Sequence, residues 1–198
     1  MVDIIEKYAK PLYQEGDFLA LSEKVIAILQ GRIIHRSEVK ISLLARFLTL
    51  FIKKWDNGDP GFRNPPKVQV ALDMVGTPRM LYAAIVGGIM KFVFRQPGWF
   101  YRIVGNDVRS IDGFNPHAMP PYNDYAMLGP ENPVETAQSY QDATGIPCAI
   151  IDANNINVDI MGVSDQVSVS EEDVRLIVLD NPMGQDDEQT PLILIRKK

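Results

Sequence analysis

Cysteine is almost missing from this chain: Cys148 stands alone. That excludes an internal disulfide and any multi-cysteine metal or iron–sulfur site. Its neighbours, residues 146–151 (IPCAII), read as a strand entering a core, so the thiol is expected to be a small buried hydrophobe in a reducing cytoplasm rather than a nucleophile. Clustered positive charge is missing too. The 20 Lys and Arg are outnumbered by 25 Asp and Glu, and the one basic block is the Arg196-Lys197-Lys198 tail. A general nucleic-acid binder, which must displace phosphate counterions along a strand, is excluded. The opening residues MVDIIE have neither the basic nor the apolar region of a secretion signal, so none is expected.

No apolar run reaches the length of a membrane span. Residues 41–52 carry Arg46 in their middle, and 80–90 are about half the required length before Lys91 ends them. Both read as core helices near a subunit interface, with peripheral membrane contact as the alternative. There is no internal repeat, no glycine pattern of a dinucleotide- or P-loop type, and no Gly-x-Ser-x-Gly elbow. What is present is ordinary: 198 residues, 46% apolar and 23% charged, enough to build a core in one or two domains and too apolar for disorder.

Helical spacing runs through 3–14, and Gly16-Asp17 turns the chain into a strand at 18–21. Residues 22–29 fit a short helix or a second strand. Ser37-Glu38 starts a helical pattern over 41–55, the Pro- and Gly-rich stretch 56–66 is loop, and 68–75 and 77–94 are helical with a break at Gly76. Residues 100–104 (FYRIV) are β-branched and aromatic and read as a strand. A long irregular stretch, 105–123, follows. A helix over 134–144 is started by Asn132-Pro133 and ended by Gly145; strands at 147–152 and 158–161, a helix start at Ser170, and a final strand at 192–195 complete the chain. The class is α+β. The whole chain is expected to form one unit, with a possible division into 1–110 and 111–198.

Three polar loops adjoin apolar strands, where side chains are held firmly yet meet solvent. They offer Asp112 and Asn115; then Asp152, Asn154 and Asn155; then Gln185, Asp186, Asp187, Glu188 and Thr190. An acid at the end of a buried strand wants a compensating cation. Hard oxygen donors select Mg²⁺ or Mn²⁺ rather than zinc. The competing reading is that these Asx residues bond their own backbone to make turns. His35, at a strand end, reads as structural; His117, inside the Asp112 loop, as a substrate contact. Trp55, Trp99, Phe100 and Tyr101 read as core, and Glu171, Glu172 and Asp173 as a helix start.

Taken in order, several segments resemble one family. Residues 16–32 (GDFLALSEKVIAILQGR) are similar to the strand and "TQKIVSKAEGR" segment of the γ-glutamyl ligase that extends coenzyme F-420. Residues 111–115 (IDGFN) resemble its "D-x-S-N" loop; 130–133 (PENP) with 144–152 (TGIPCAIID) resemble its "PEDP…RTG…VVISD" run; Met183-Gly184-Gln185 with 190–196 (TPLILIR) resemble its C-terminal segment. The resemblance implies a two-part α+β fold that dimerises through interwoven subunits, which would account for the apolar segments 41–52 and 80–94. It implies a GTP-dependent ligase that joins L-glutamate to a small acidic acceptor. Asp112, Asp152 and Gln185 would be ligands of Mg²⁺ or Mn²⁺, Asn115 would bond the nucleotide, Ser22, Glu23 and Lys24 would touch phosphates, and Met183, Gly184, Asp186, Asp187, Glu188, Gln189 and Thr190 would wrap the nucleotide.

Four departures mark this chain. The sequence opens at Met1 almost inside the family's first helix, so the family's nucleotide loop ahead of that helix is not expected within residues 1–198. The family's phosphate-binding lysine falls at Ile28, a hydroxyl position at Ala153, and "GRPWR" at Asn154-Asn155-Ile156. Each lost charged or hydroxyl contact is worth about 1–3 kcal/mol of nucleotide binding. A non-catalytic metal- or small-molecule-binding module is therefore the alternative, and an unrelated enzyme pairing His117 with Asp112 is a third reading.

Overall fold

The structure is a computed structural model that describes residues 1–50, 52, 61–114, 121–153, 158–184 and 190–196. In chain order it contains α1 (Val2–Ile4), extended by a π-helical turn over Ile5–Ala9, then β1 (Phe18–Ser22), α2 (Glu23–Leu29), β2 (Ile33–His35) and α3 (Leu43–Thr49). Next come α4 (Pro65–Val75), α5 (Thr77–Phe92), α6 (Trp99–Val104), α7 (Asn106–Arg109), β3 (Asp112–Gly113) and β4 (Tyr125–Met127). The chain ends with α8 (Pro133–Thr144), β5 (Cys148–Ala153), β6 (Val158–Val163), α9 (Glu171–Ile177) and β7 (Leu192–Ile195). The α+β class holds. These elements gather into two compact units: Met1–Arg32 with Pro130–Lys198, and Ile33–Gly129. The expected boundary at 110/111 falls inside the second.

The first unit is built on a sheet of order β6-β5-β1-β7. β1 and β5 are near-continuous apolar runs because they are covered on both faces. Strand alternation then deals their side chains to two cores. Leu19, Leu21, Cys148 and Ile150 pack with Ile5, Ile26 and Ala137 on one side. Phe18, Ala20, Ala149 and Ile151 pack with Val158, Val174 and Met183 on the other. β1 runs parallel to β5 and antiparallel to β7, and β5 pairs antiparallel with β6 across an irregularity at Ile150/Ile151. α8 starts with Pro133 in its first turn and stops at Gly145, whose φ of 75° few other residues tolerate. α9 carries a capping box in which Ser170 and Asp173 bond reciprocally to each other's backbone N–H.

The second unit sets a sheet of order β2-β4-β3 beside the helices. Its core gathers Val68, Val70, Ala71, Met80, Ala83, Val104, Val108, Ile111 and Phe114. Residues 100–104, expected as a strand, form α6 instead. Gly98 and Gly105, with φ of 93° and 98°, bound the segment, and Phe100 packs directly on Gly87 of α5. Tertiary packing overrides the β-propensity of aromatic and branched residues there. The helices expected at 41–52 and 80–94 do contribute to this core, through Ala45 of α3 and Met80 and Ala83 of α5, while Leu43, Phe47, Leu50, Ile85 and Phe92 are exposed. Tyr101, expected in the core, is part-exposed.

Candidate functional site

The carboxyl ends of parallel strands in an α/β arrangement leave a crevice, because each chain turns away there into its next element. In the first unit β1 and β5 end side by side, with Ser22 in register with Ile151. The residue after Ile151 is Asp152, and the residues after Ser22 open α2. Lys24 Nζ consequently lies 3.9 Å from Asp152 Oδ1, with both side chains partly open to solvent. Glu23, between Ser22 and Lys24 in sequence, is buried. Its carboxylate would repel a phosphate, so any contact from this position falls to its backbone N–H.

β7 brings the third segment. Leu192 is in register with Leu21, and the Ser22 N–H donates to the Pro191 carbonyl at 3.0 Å. Pro191 therefore lies opposite Ser22, and Thr190 is the next residue out along the chain. Ser22, Glu23, Lys24, Asp152 and Thr190, read from three remote stretches of sequence, meet at one end of one sheet. Met183 and Gly184 are placed less favourably for ligand contact: Met183 is buried in the core under α9, and Gly184 sits in a turn with φ of 80°, its N–H donating to the Asn181 carbonyl.

One acid at this edge escapes a reading of the sequence. Asp159 on β6 is directly opposite Asp152 on β5. Opposed residues of an antiparallel pair share a face with Cβ atoms about 5 Å apart, and like charges so placed are destabilising unless a cation sits by them. Lys24 supplies one positive charge. The two strands are joined by the four residues 154–157, so the pairing of Ala153 with Val158 on either side of them brings Asp152 opposite Asp159, a register that could be read only once both strand ends were known.

Asp112 belongs to the second unit. It pairs with Met127 across β3–β4, and its Oδ1 accepts the Gly113 N–H at 2.7 Å, the local bonding the turn reading anticipated. Phe114, buried, takes φ of 50°, a strained position for a bulky residue at the mouth of the following loop. Its carbonyl accepts from Asn64 Nδ2 at 3.0 Å. Asn115, Gln185, Asp186, Asp187, Glu188 and Gln189 lie outside the described residues, as do Trp55, His117, Asn154 and Asn155. Among the described residues no group of three His, Cys, Asp or Glu side chains gathers as a metal cluster. The donors at Asp152 and Asp159 are hard oxygens, which suit Mg²⁺ or Mn²⁺ and would need completing from a loop.

Elsewhere the residues are structural. The His35 ring faces Tyr125 edge-on at 4.8 Å, and its Nδ1 accepts the Ser37 N–H at 3.2 Å. Cys148 is fully buried, and burial pushes its thiol up to about 12. Asp17, which no motif flagged, is held by Arg196: Nη2 lies 2.9 Å from Oδ2. Bonds from that guanidinium are the main cause of a carboxyl held below its ordinary range; burial works against them, and the Gln14 N–H adds to them. Comparison with protein-family models and with curated proteins finds no match for this chain.

Proposed function

We propose that this chain is a GTP- and divalent-cation-dependent ligase-like protein that forms a γ-glutamyl amide between L-glutamate and a small acidic acceptor. The ordered resemblance of its loops motivates the reading. The observation that supports it is the meeting of Lys24, Asp152, Asp159, Ser22 and Thr190 at the carboxyl end of β1 and β5. An ammonium and two carboxylates on one sheet edge suit a polyphosphate and the cation that travels with it. In this reading Asp152 holds Mg²⁺ or Mn²⁺ with Asp159 close by, and Lys24 exchanges its carboxylate for a phosphate oxygen. The Ser22 and Thr190 hydroxyls would donate to the polyphosphate. A bound cation would neutralise charge developing as phosphate leaves the activated carboxylate.

The test is calorimetric titration of GTP and Mn²⁺ into the protein, followed by assay of phosphate release with L-glutamate present. Binding with turnover supports the ligase; absence of heat from either titrant contradicts it. A binding module without turnover is the second reading. Ile28 favours it, because this half-buried aliphatic residue of α2 stands where the family keeps a phosphate-binding lysine. That reading expects heat without phosphate release.

A further inference from the structure

The unit Ile33–Gly129 displays an apolar surface that its own core leaves uncovered. On α5, Met80, Ala83 and Gly87 are buried. On the opposite side Leu81, Tyr82, Ile85, Ile89 and Phe92 fall within an arc of about 100° at 3.6 residues per turn. Tyr82, Ile85 and Phe92 are 60%, 62% and 79% exposed. Val93 and Phe94 continue the surface beyond the helix end, both exposed. Contiguous apolar patches of this kind mark a docking surface on a folded chain.

The hairpin that carries the patch is firmly built. A Cβ on Gly87 would lie 3.0 Å from the Phe100 backbone nitrogen, so α5 and α6 are in close contact. Arg79 Nε ties them further by donating to the Ile103 carbonyl at 2.8 Å. Residues 77–110 hold Arg79, Lys91, Arg95, Arg102 and Arg109 against a single acid, Asp107. The unit as a whole has 12 Lys and Arg against 7 Asp and Glu, in a chain whose net charge is -5. Lys91 lies over the Phe92 ring at 5.4 Å and Arg102 over Trp99 at 5.3 Å. Exposed aliphatics and aromatics in a segment with an excess of cations are the composition of segments that lie in the headgroup region of an anionic membrane.

We propose that the α5–α6 hairpin docks on an anionic phospholipid surface, burying Ile85, Ile89, Phe92 and Phe94 at the acyl boundary while Arg95, which follows Phe94, meets the headgroup phosphates. The segment lies on the bilayer and does not cross it: among the described residues no helix is long and apolar enough to span. A second copy of the chain is the less fitting occupant. A twofold interface sets a patch against its own copy, and here that would bring two sets of cations together with no acid but Asp107 to relieve them.

The experiment is co-sedimentation of the full chain with vesicles of phosphatidylcholine containing one third phosphatidylserine, and with phosphatidylcholine alone. The anionic vesicles are expected to bind at least tenfold more tightly, and molar salt to release the protein. The double variant Ile85→Gln/Phe92→Gln and the single variant Arg95→Glu, both at exposed positions, are expected to lose at least tenfold in binding with an unchanged circular dichroism spectrum. If the double variant does not fold, Arg95→Glu alone decides. Failure to sediment with anionic vesicles would overturn the proposal. So would equal binding by native protein and folded variants, or a dimer in analytical ultracentrifugation that Ile85→Gln/Phe92→Gln dissociates.

Discussion

Asp17 and Arg196 sit far apart in sequence, yet the pairing of Phe18 with Ile195 puts them side by side where β7 ends and β1 begins. Since the Asp17 carboxyl titrates below its ordinary range in the folded state, the unfolded chain takes up its proton first as pH falls. The bridge therefore adds stability fully above the ordinary carboxyl range and loses it as pH drops toward the lowered value. Urea midpoints measured against pH are expected to fall less steeply on the acid side in Asp17→Asn, which begins lower at neutral pH. Cys148 gives a second readout at this scale. A thiol raised to about 12 holds so little thiolate at pH 8 that a disulfide reagent is expected to label it about a thousandfold more slowly in the native protein than in urea. The sequence allowed the inert cysteine to be read, because IPCAII is apolar on both sides. It gave no warning of the Asp17 bridge, since pairing of the two terminal strands is a property of the fold.

Individual elements show where local reading succeeds and where it stops. The start and end of α8, the capping box of α9 and the strands β1, β5 and β7 were legible because proline, glycine, Ser-x-x-Asp and unbroken apolar runs act within a few residues. α6 was not, because the aromatic and branched residues at 100–104 are helical through their packing on Gly87 and their flanking glycines, and that partner lies in another element. Gly162 of β6 is a comparable case. A Cβ there would overlap the backbone of Pro133 and Val134 in the first turn of α8. Gly162→Ala is expected to destabilise the first unit by about 3 kcal/mol or more, since backbone rather than a flexible side chain must move. Urea unfolding followed by circular dichroism measures it, and a loss below about 1 kcal/mol would show that β6 and α8 are less closely apposed.

Across the whole molecule, the resemblance drew its ligand set from distant parts of the chain. Asp152 is in the unit Met1–Arg32 with Pro130–Lys198, and Asp112 is in the unit Ile33–Gly129. In the first of these units residues 22–24, 152 and 190 come from three remote segments to one end of one sheet. Asp159 joins them because β5 runs on to Ala153, one residue past the expected strand end, which sets Asp152 opposite Asp159. Neither propensity nor motif order states which loop completes a cation's oxygen shell, since loop conformation follows from contacts made after folding. In the proposed function Asp152 would hold a divalent cation beside a bound polyphosphate. The most direct measurement is Mn²⁺ titration in the presence of GTP, comparing native protein with Asp152→Asn and Asp186→Asn. Asp152→Asn is expected to weaken Mn²⁺ binding about tenfold or more, a change of about 1.4 kcal/mol, and Asp186→Asn distinctly less. Equal affinities in all three proteins, or no Mn²⁺ binding in the native one, would contradict the account.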